Sequence, residues 1–102
     1  MVAHEIALDK LIELTPGVLG GKPRIAGRRI RVIDVAFWHE TLGLSADTIA
    51  SKYELSLAEV HAALAYYHAH REALEADARA DEALVAEMKQ RFPGRWLQTP
   101  HA

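Results

Sequence analysis

The chain has 102 residues, half of them apolar and a quarter charged, with a net charge of -2 and no cysteine. That length and usage describe one globular domain with room for an appended helix, and 18 alanines point to a mainly helical one. Missing thiols exclude disulfide frameworks and thiolate metal sites, and the small net charge argues against non-specific nucleic-acid binding by the chain as a whole.

The first residues, Met-Val-Ala-His-Glu-Ile-Ala-Leu-Asp-Lys, lack the basic start and long apolar run of a signal peptide, and no later run is long enough to span a membrane. A cytoplasmic protein is expected. Residues 11–14 read as a short strand or the end of a helical turn, followed by turn signals at Thr15-Pro16-Gly17 and Gly20-Gly21.

Residues 22–31 then gather a charge of +5, from Lys22, Arg24, Arg28, Arg29 and Arg31, with no acid among them. Ala26-Gly27 suits a two-residue hairpin loop. That loop sets Ile25 opposite Arg28, Arg24 opposite Arg29 and Lys22 opposite Arg31. Alternation along the strands then gives an apolar underside of Ile25, Ile30 and Val32. The opposite face is a cationic top of Lys22, Arg24, Arg29 and Arg31, with Arg28 at the tip.

Past Val32 the apolar spacing becomes helical. A first helix is predicted over about 33–42, ended by Gly43, and a second over about 46–53, capped by Ser45. Ser56 with Glu59 three residues on is a capping box opening a third helix. Two short helices, a tight turn and a longer third helix form a helix-turn-helix arrangement. An unbroken 3,4 spacing runs from Leu57 through Leu74, Ala78, Asp81, Val85 and Met88 to Phe92. Arg71 and Asp81 interrupt its seam. The third helix is therefore expected to end near 72–76, with a separate helix capped by Asp81 and stopped by Pro93-Gly94. The expected fold is α+β, mainly α: an N-terminal β-hairpin, a helix-turn-helix-like three-helix core over 1–75, and a C-terminal helix and tail over 76–102.

Three functions fit the basic ribbon: phosphate neutralisation on a nucleic acid, contact with an acidic protein surface, or a solvated sheet face. Four like charges on one small face repel, which weighs against the last. The start of the third helix carries no Arg, Asn or Gln to read bases, and leaves Lys52 and His61 as its phosphate donors. His61 and His68 stand two helical turns apart, too far for one ion, so no metal or other cofactor is expected. The serines read as caps and Gly-Gly-Lys-Pro fails as a phosphate loop, so no enzyme is expected and no small-molecule substrate. Arg91, Phe92, Arg95, Trp96 and Leu97 combine aromatic and Arg residues of the kind enriched at interface hot spots. They read as a partner-binding tail, or as a tail folded back on the core.

The pattern Gly21-Lys22-Pro23-x-Ile25-x-Gly27-x-Arg29-Ile30-x-Val32, followed by Ser45-Ala46-Asp47-x-Ile49 and Ala62-Ala63-Leu64-Ala65-Tyr66-Tyr67, resembles a widespread small prokaryotic family. That family was long listed as a domain of unknown function and is usually classed with VapB-type antitoxins. The resemblance covers about residues 10–75, with Arg28 where the family usually has Thr. It implies a homodimer that binds a PIN-type ribonuclease toxin and represses its own operon by binding operator DNA. It also offers Arg95, then Arg91, as the group that meets the toxin's acidic metal ligands. The alternative reading is a toxin- or partner-binding inhibitor with no specific DNA binding.

Overall fold

The structure is a computed structural model that describes residues 8–92. In chain order it has a 3-10 turn at Leu8–Leu11, strand β1 at Ile12–Glu13, a second 3-10 turn at Leu19–Gly21, and strand β2 at Arg24–Ile25. Helices follow: α1 at Val32–Ala36, continued by a π turn at Phe37–Thr41, then α2 at Ala46–Tyr53, α3 at Leu57–Ala69 and α4 at Arg71–Arg91. This is the expected α+β, mainly α architecture.

The N-terminal strands differ from the predicted hairpin in partner and in register. β2 pairs antiparallel with β1, matching Ile12 to Ile25 and Glu13 to Arg24. The arm after Gly27 adds a single bridge, Arg24 to Arg31, where Arg24 to Arg29 was expected. Turn chemistry explains the shift. Arg28 N–H donates to Ile25 C=O at 2.9 Å, so Ala26 and Gly27 are the central turn residues. Gly27 has φ +75 and Ala26 has no positive φ, which is the sign pattern of a type II turn. A two-residue hairpin needs a positive φ at the first central residue. A type II turn splays its arms instead, and pairing resumes further out, with Ile25 N–H on Ile30 C=O and Val32 N–H on Pro23 C=O, each at 2.9 Å.

A slip of two residues leaves each side chain on its own face. Ile25 and Val32 therefore still point inward, and both are fully buried with Val35, Ile49 and Val60. Each such side chain contributes about 1.5–3 kcal/mol by leaving water.

Helix α1 starts one residue earlier than predicted and widens at Phe37. Leu42 N–H reaches back five residues to Phe37 C=O at 3.1 Å. His39 Nδ1–H donates to Leu44 C=O at 2.8 Å, tying the π turn to the residue after Gly43. The Trp38 ring stacks on Tyr53 of α2, with centroids 3.7 Å apart and planes 4° from parallel. Ser45 and Ser56 both cap as expected, accepting from Thr48 N–H and Glu59 N–H. Glu59 returns the bond to Ser56 N–H at 2.8 Å, completing the capping box. Three residues, Glu54 to Ser56, separate α2 from α3, with Glu54 left-handed at φ 55.

The third helix ends earlier than predicted, at Ala69, and α4 begins at Arg71 rather than near Asp81. His70 breaks the path at φ -125, ψ 29. Its ring folds back on Tyr66, with centroids 4.1 Å apart, and Nδ1 contacts Tyr66 C=O at 3.1 Å. Beyond it, Ala, Glu, Leu and Arg dominate without Gly or Pro, so nothing interrupts the helix at 72–80. Asp81 lies inside α4 and caps nothing. The chain divides into two compact units at Arg71, a core unit up to that residue and a C-terminal unit from Glu72 on.

Candidate interaction sites

The arginines of the turn are held by groups the basic run does not contain. Arg24 is 8% exposed. Its guanidinium forms an ion pair with Glu13, the residue opposite it on β1. It also donates to Arg28 C=O at 2.8 Å and to Thr15 Oγ1 at 3.3 Å. The Nε of Arg24 is buried without a partner among the described residues.

Arg28 reaches out of the turn to α2. Its Nη2 donates to Tyr53 C=O at 2.9 Å and its Nη1 to Glu54 C=O at 2.8 Å. The last carbonyls of a helix lack intrahelical donors and carry the negative end of its dipole, so a guanidinium there satisfies both needs.

Arg31 closes on Asp34. The carboxylate accepts from Arg31 Nη2 at 2.8 Å, from Nε at 3.2 Å and from the Arg31 backbone N–H at 3.0 Å. This bidentate contact fixes the start of α1 as well as neutralising the charge.

The predicted cationic top is therefore not one open face. Arg24 is turned into the fold, Arg28 caps a helix, and Arg31 is paired. Lys22 is half-buried, and Arg29 is exposed. Lys52 and His61 are exposed on α2 and α3. Lys52 Nζ lies 5.8 Å from the Tyr53 ring centroid. Residues outside the run had no local signal as partners: Glu13 is eleven residues before Arg24, and the two carbonyls on α2 belong to every residue type.

On the C-terminal unit, Arg91 is exposed and ion-paired with Glu87 at 3.3 Å, and Phe92 is 42% exposed. Arg95, Trp96 and Leu97 lie outside the described residues. The same helix exposes Leu84 at 57% and Val85 at 40%. Among the described residues, no group of three or more His, Asp or Glu is placed to hold a metal ion, and no helix is long and apolar enough to cross a membrane.

The family model described as "Protein of unknown function (DUF433)" matches residues 12–67. The chain belongs to the DUF433 family. A crystal structure of a DUF433 member from Anabaena variabilis ATCC 29413 is similar, with 30% sequence identity, a TM-score of 0.61, and coverage of 69% of each chain. No curated protein matches. The DUF433 match runs from the first residue of β1 to Tyr67 in α3. It thus contains all the arginine clamps described above and stops short of α4.

Proposed function

We propose that this DUF433 chain is an antitoxin-type inhibitor, a cytoplasmic binding protein rather than an enzyme, whose protein partner is a PIN-type ribonuclease toxin. One observation carries the preference for a protein partner over DNA at the basic run. Arg24, Arg28 and Arg31 are engaged inside the core unit. Releasing them to meet phosphates costs the contacts that order β2, α1 and the end of α2. The partner site is placed at the end of α4 and the segment after it: Arg91, Phe92, Arg95, Trp96 and Leu97. Arg91 and Phe92 are exposed there, and an aromatic side chain with neighbouring guanidinium groups suits a desolvated protein contact.

The test is titration of the full chain into the PIN-type ribonuclease of the same operon, with RNA cleavage as the readout. Stoichiometric inhibition by the full chain, and its loss on deleting residues 92–102, is the expected result. Equal inhibition by the truncated chain removes the tail from the site, and no inhibition by the full chain removes the function.

A second reading, operator binding with autorepression, is favoured by the three-residue turn between α2 and α3 and by the exposure of Arg29, Lys52 and His61. Each phosphate contact contributes about -0.9 to the slope of log K against log salt. Replacing both Arg29 and Lys52 with Ala then flattens the slope for upstream DNA by roughly 2. An unchanged slope excludes these residues as the DNA contact.

A further inference from the structure

The apolar stripe of α4 keeps coiled-coil spacing well past the region matched to the family. Ala78, Asp81, Val85 and Met88 recur at alternating intervals of three and four on one continuous helix, and Phe92, just past its end, keeps the spacing with its N–H on Met88 C=O at 2.9 Å. Val85 is 40% exposed and Phe92 42%, and Leu84, beside the stripe, is 57% exposed. Written as heptads, Ala78, Val85 and Phe92 take one core position and Asp81 and Met88 the other. The flanking positions are Asp77, Leu84 and Arg91 on one side and Glu75, Glu82 and Lys89 on the other. Charge along these flanks is polarised. Residues 72–82 carry five acids and one base, whereas residues 83–92 carry one acid and two bases.

We infer that α4 pairs with α4 of a second copy of this chain, antiparallel, about a twofold axis near residue 83. In that register Ala78 meets Met88 of the second copy, and Asp81 meets Val85. The flanks match by charge away from the axis, where Glu75 lies against Lys89 and Asp77 against Arg91; at the axis Glu82 meets its own equivalent, the one like-charge pair of this register. Leu84 meets its own equivalent across the axis. A parallel pair sets Asp81 against Asp81 in the seam and Asp77 against Glu82 at both edges with no opposite-charge pair to offset them, so the balance of charge selects the antiparallel form despite its Glu82 pair. Arg91 pairs with Glu87 in an exposed i,i+4 contact, and Glu75, Asp77, Asp81 and Lys89 also have interactions of their own; exposed contacts of this kind exchange at little cost. Asp81 in the seam keeps the pairing weak and reversible. Residue 92 of one copy falls beside residue 74 of the other. At about 1.5 Å per residue, the two segments that follow α4 leave about 27 Å apart. Arg91 and Phe92 belong to both contacts, so a toxin bound at them competes with the pairing, whereas Arg95, Trp96 and Leu97 follow it in sequence.

The absence of native cysteine allows a direct test by disulfide trapping in the full chain. Ala78→Cys and Met88→Cys proteins, each alone and mixed, are oxidised and resolved without reductant. A cross-link in the mixture, with little in either protein alone, is the expected result. Equal self-linking of each variant indicates a parallel pair and overturns the proposal, as does no cross-link at millimolar protein. Sedimentation equilibrium supplies an independent reading without any partner present. Asp81→Leu tightens self-association at least tenfold. Lys89→Glu with Arg91→Glu weakens it roughly tenfold, and adding Glu75→Lys with Asp77→Lys restores it. No change in these variants also overturns the pairing. Failure of toxin inhibition leaves these readouts untouched, so the two proposals fall separately.

Discussion

Arg28, in the turn after β2, holds the last two carbonyls of α2: Nη2 bonds Tyr53 at 2.9 Å and Nη1 bonds Glu54 at 2.8 Å. One side chain thereby joins segments 25 residues apart and closes a helix that has only eight residues. A helix this short is not stable by itself in water, so its ends matter.

Arg28→Ala is expected to lower stability by about 1–2 kcal/mol, since it orphans two carbonyls and removes a cation from a helix C-terminus. Arg28→Lys should recover less than half, because an ammonium lacks the planar fork that spans two acceptors. Urea unfolding of the three proteins checks both expectations. Equal stability of Arg28→Ala and the parent would mean that the contact contributes nothing in solution.

Arg24 and Glu13 make a second clamp, across the β1–β2 pair. Arg24 is 8% exposed while the Glu13 side chain is 42% exposed. The losses should differ accordingly. Glu13→Gln should cost about 1 kcal/mol, as the guanidinium keeps its bonds to Arg28 and Thr15. Arg24→Ala should cost about 2–4 kcal/mol, because it leaves part-buried acceptors unmet and opens a cavity where a buried side chain stood. Thermal denaturation of the two single variants and the double variant gives the coupling. A coupling near zero would assign Arg24's contribution to packing and to its bonds with Arg28 and Thr15 rather than to the Glu13 pair.

Gly27 carries φ +75 in the turn that sets the register, and no atom lies within 4 Å of where a Cβ would stand. Gly27→Ala therefore meets no clash, only a strained backbone. The expected loss is about 1–2 kcal/mol. Amide exchange at Ile25 and Arg28 should quicken with it, because both donate in the bonds flanking the turn.

Ser56 and Glu59 exchange bonds at the start of α3, at 3.0 and 2.8 Å. Ser56→Ala should cost about 1 kcal/mol, and Ser56→Asp should restore most of it. Chemical denaturation distinguishes these from Ser45→Ala, whose cap on Thr48 has no returning carboxylate.

Residues of α4 other than Leu74 are half-buried or exposed, whereas α3 buries Val60, Ala62, Ala63, Leu64 and Tyr67. Native-state hydrogen exchange in dilute protein should therefore protect α3 amides far more than those of 76–90. Uniform protection across both helices would contradict the division at Arg71.

Local rules written in the sequence determined much of this protein. Helical spacing, Ser45 and Ser56 as caps, and Gly43 as a stop placed α1 to α3 within a few residues of where they lie. The same alternation that sends Ile25 and Val32 into the core was readable from the strand period. The end of α3 was not readable, because His70 breaks the helix through a ring folded onto Tyr66, with no Gly or Pro to mark it. The tertiary structure alone decided which groups of the chain the basic run meets. Charge density along residues 22–31 is a local quantity, but its neutralisation is not. Glu13 comes from another strand, Asp34 from the next helix, and the acceptors for Arg28 from backbone carbonyls at the end of α2. A sequence shows which charges stand together, and only the folded chain shows which partners the chain brings to meet them.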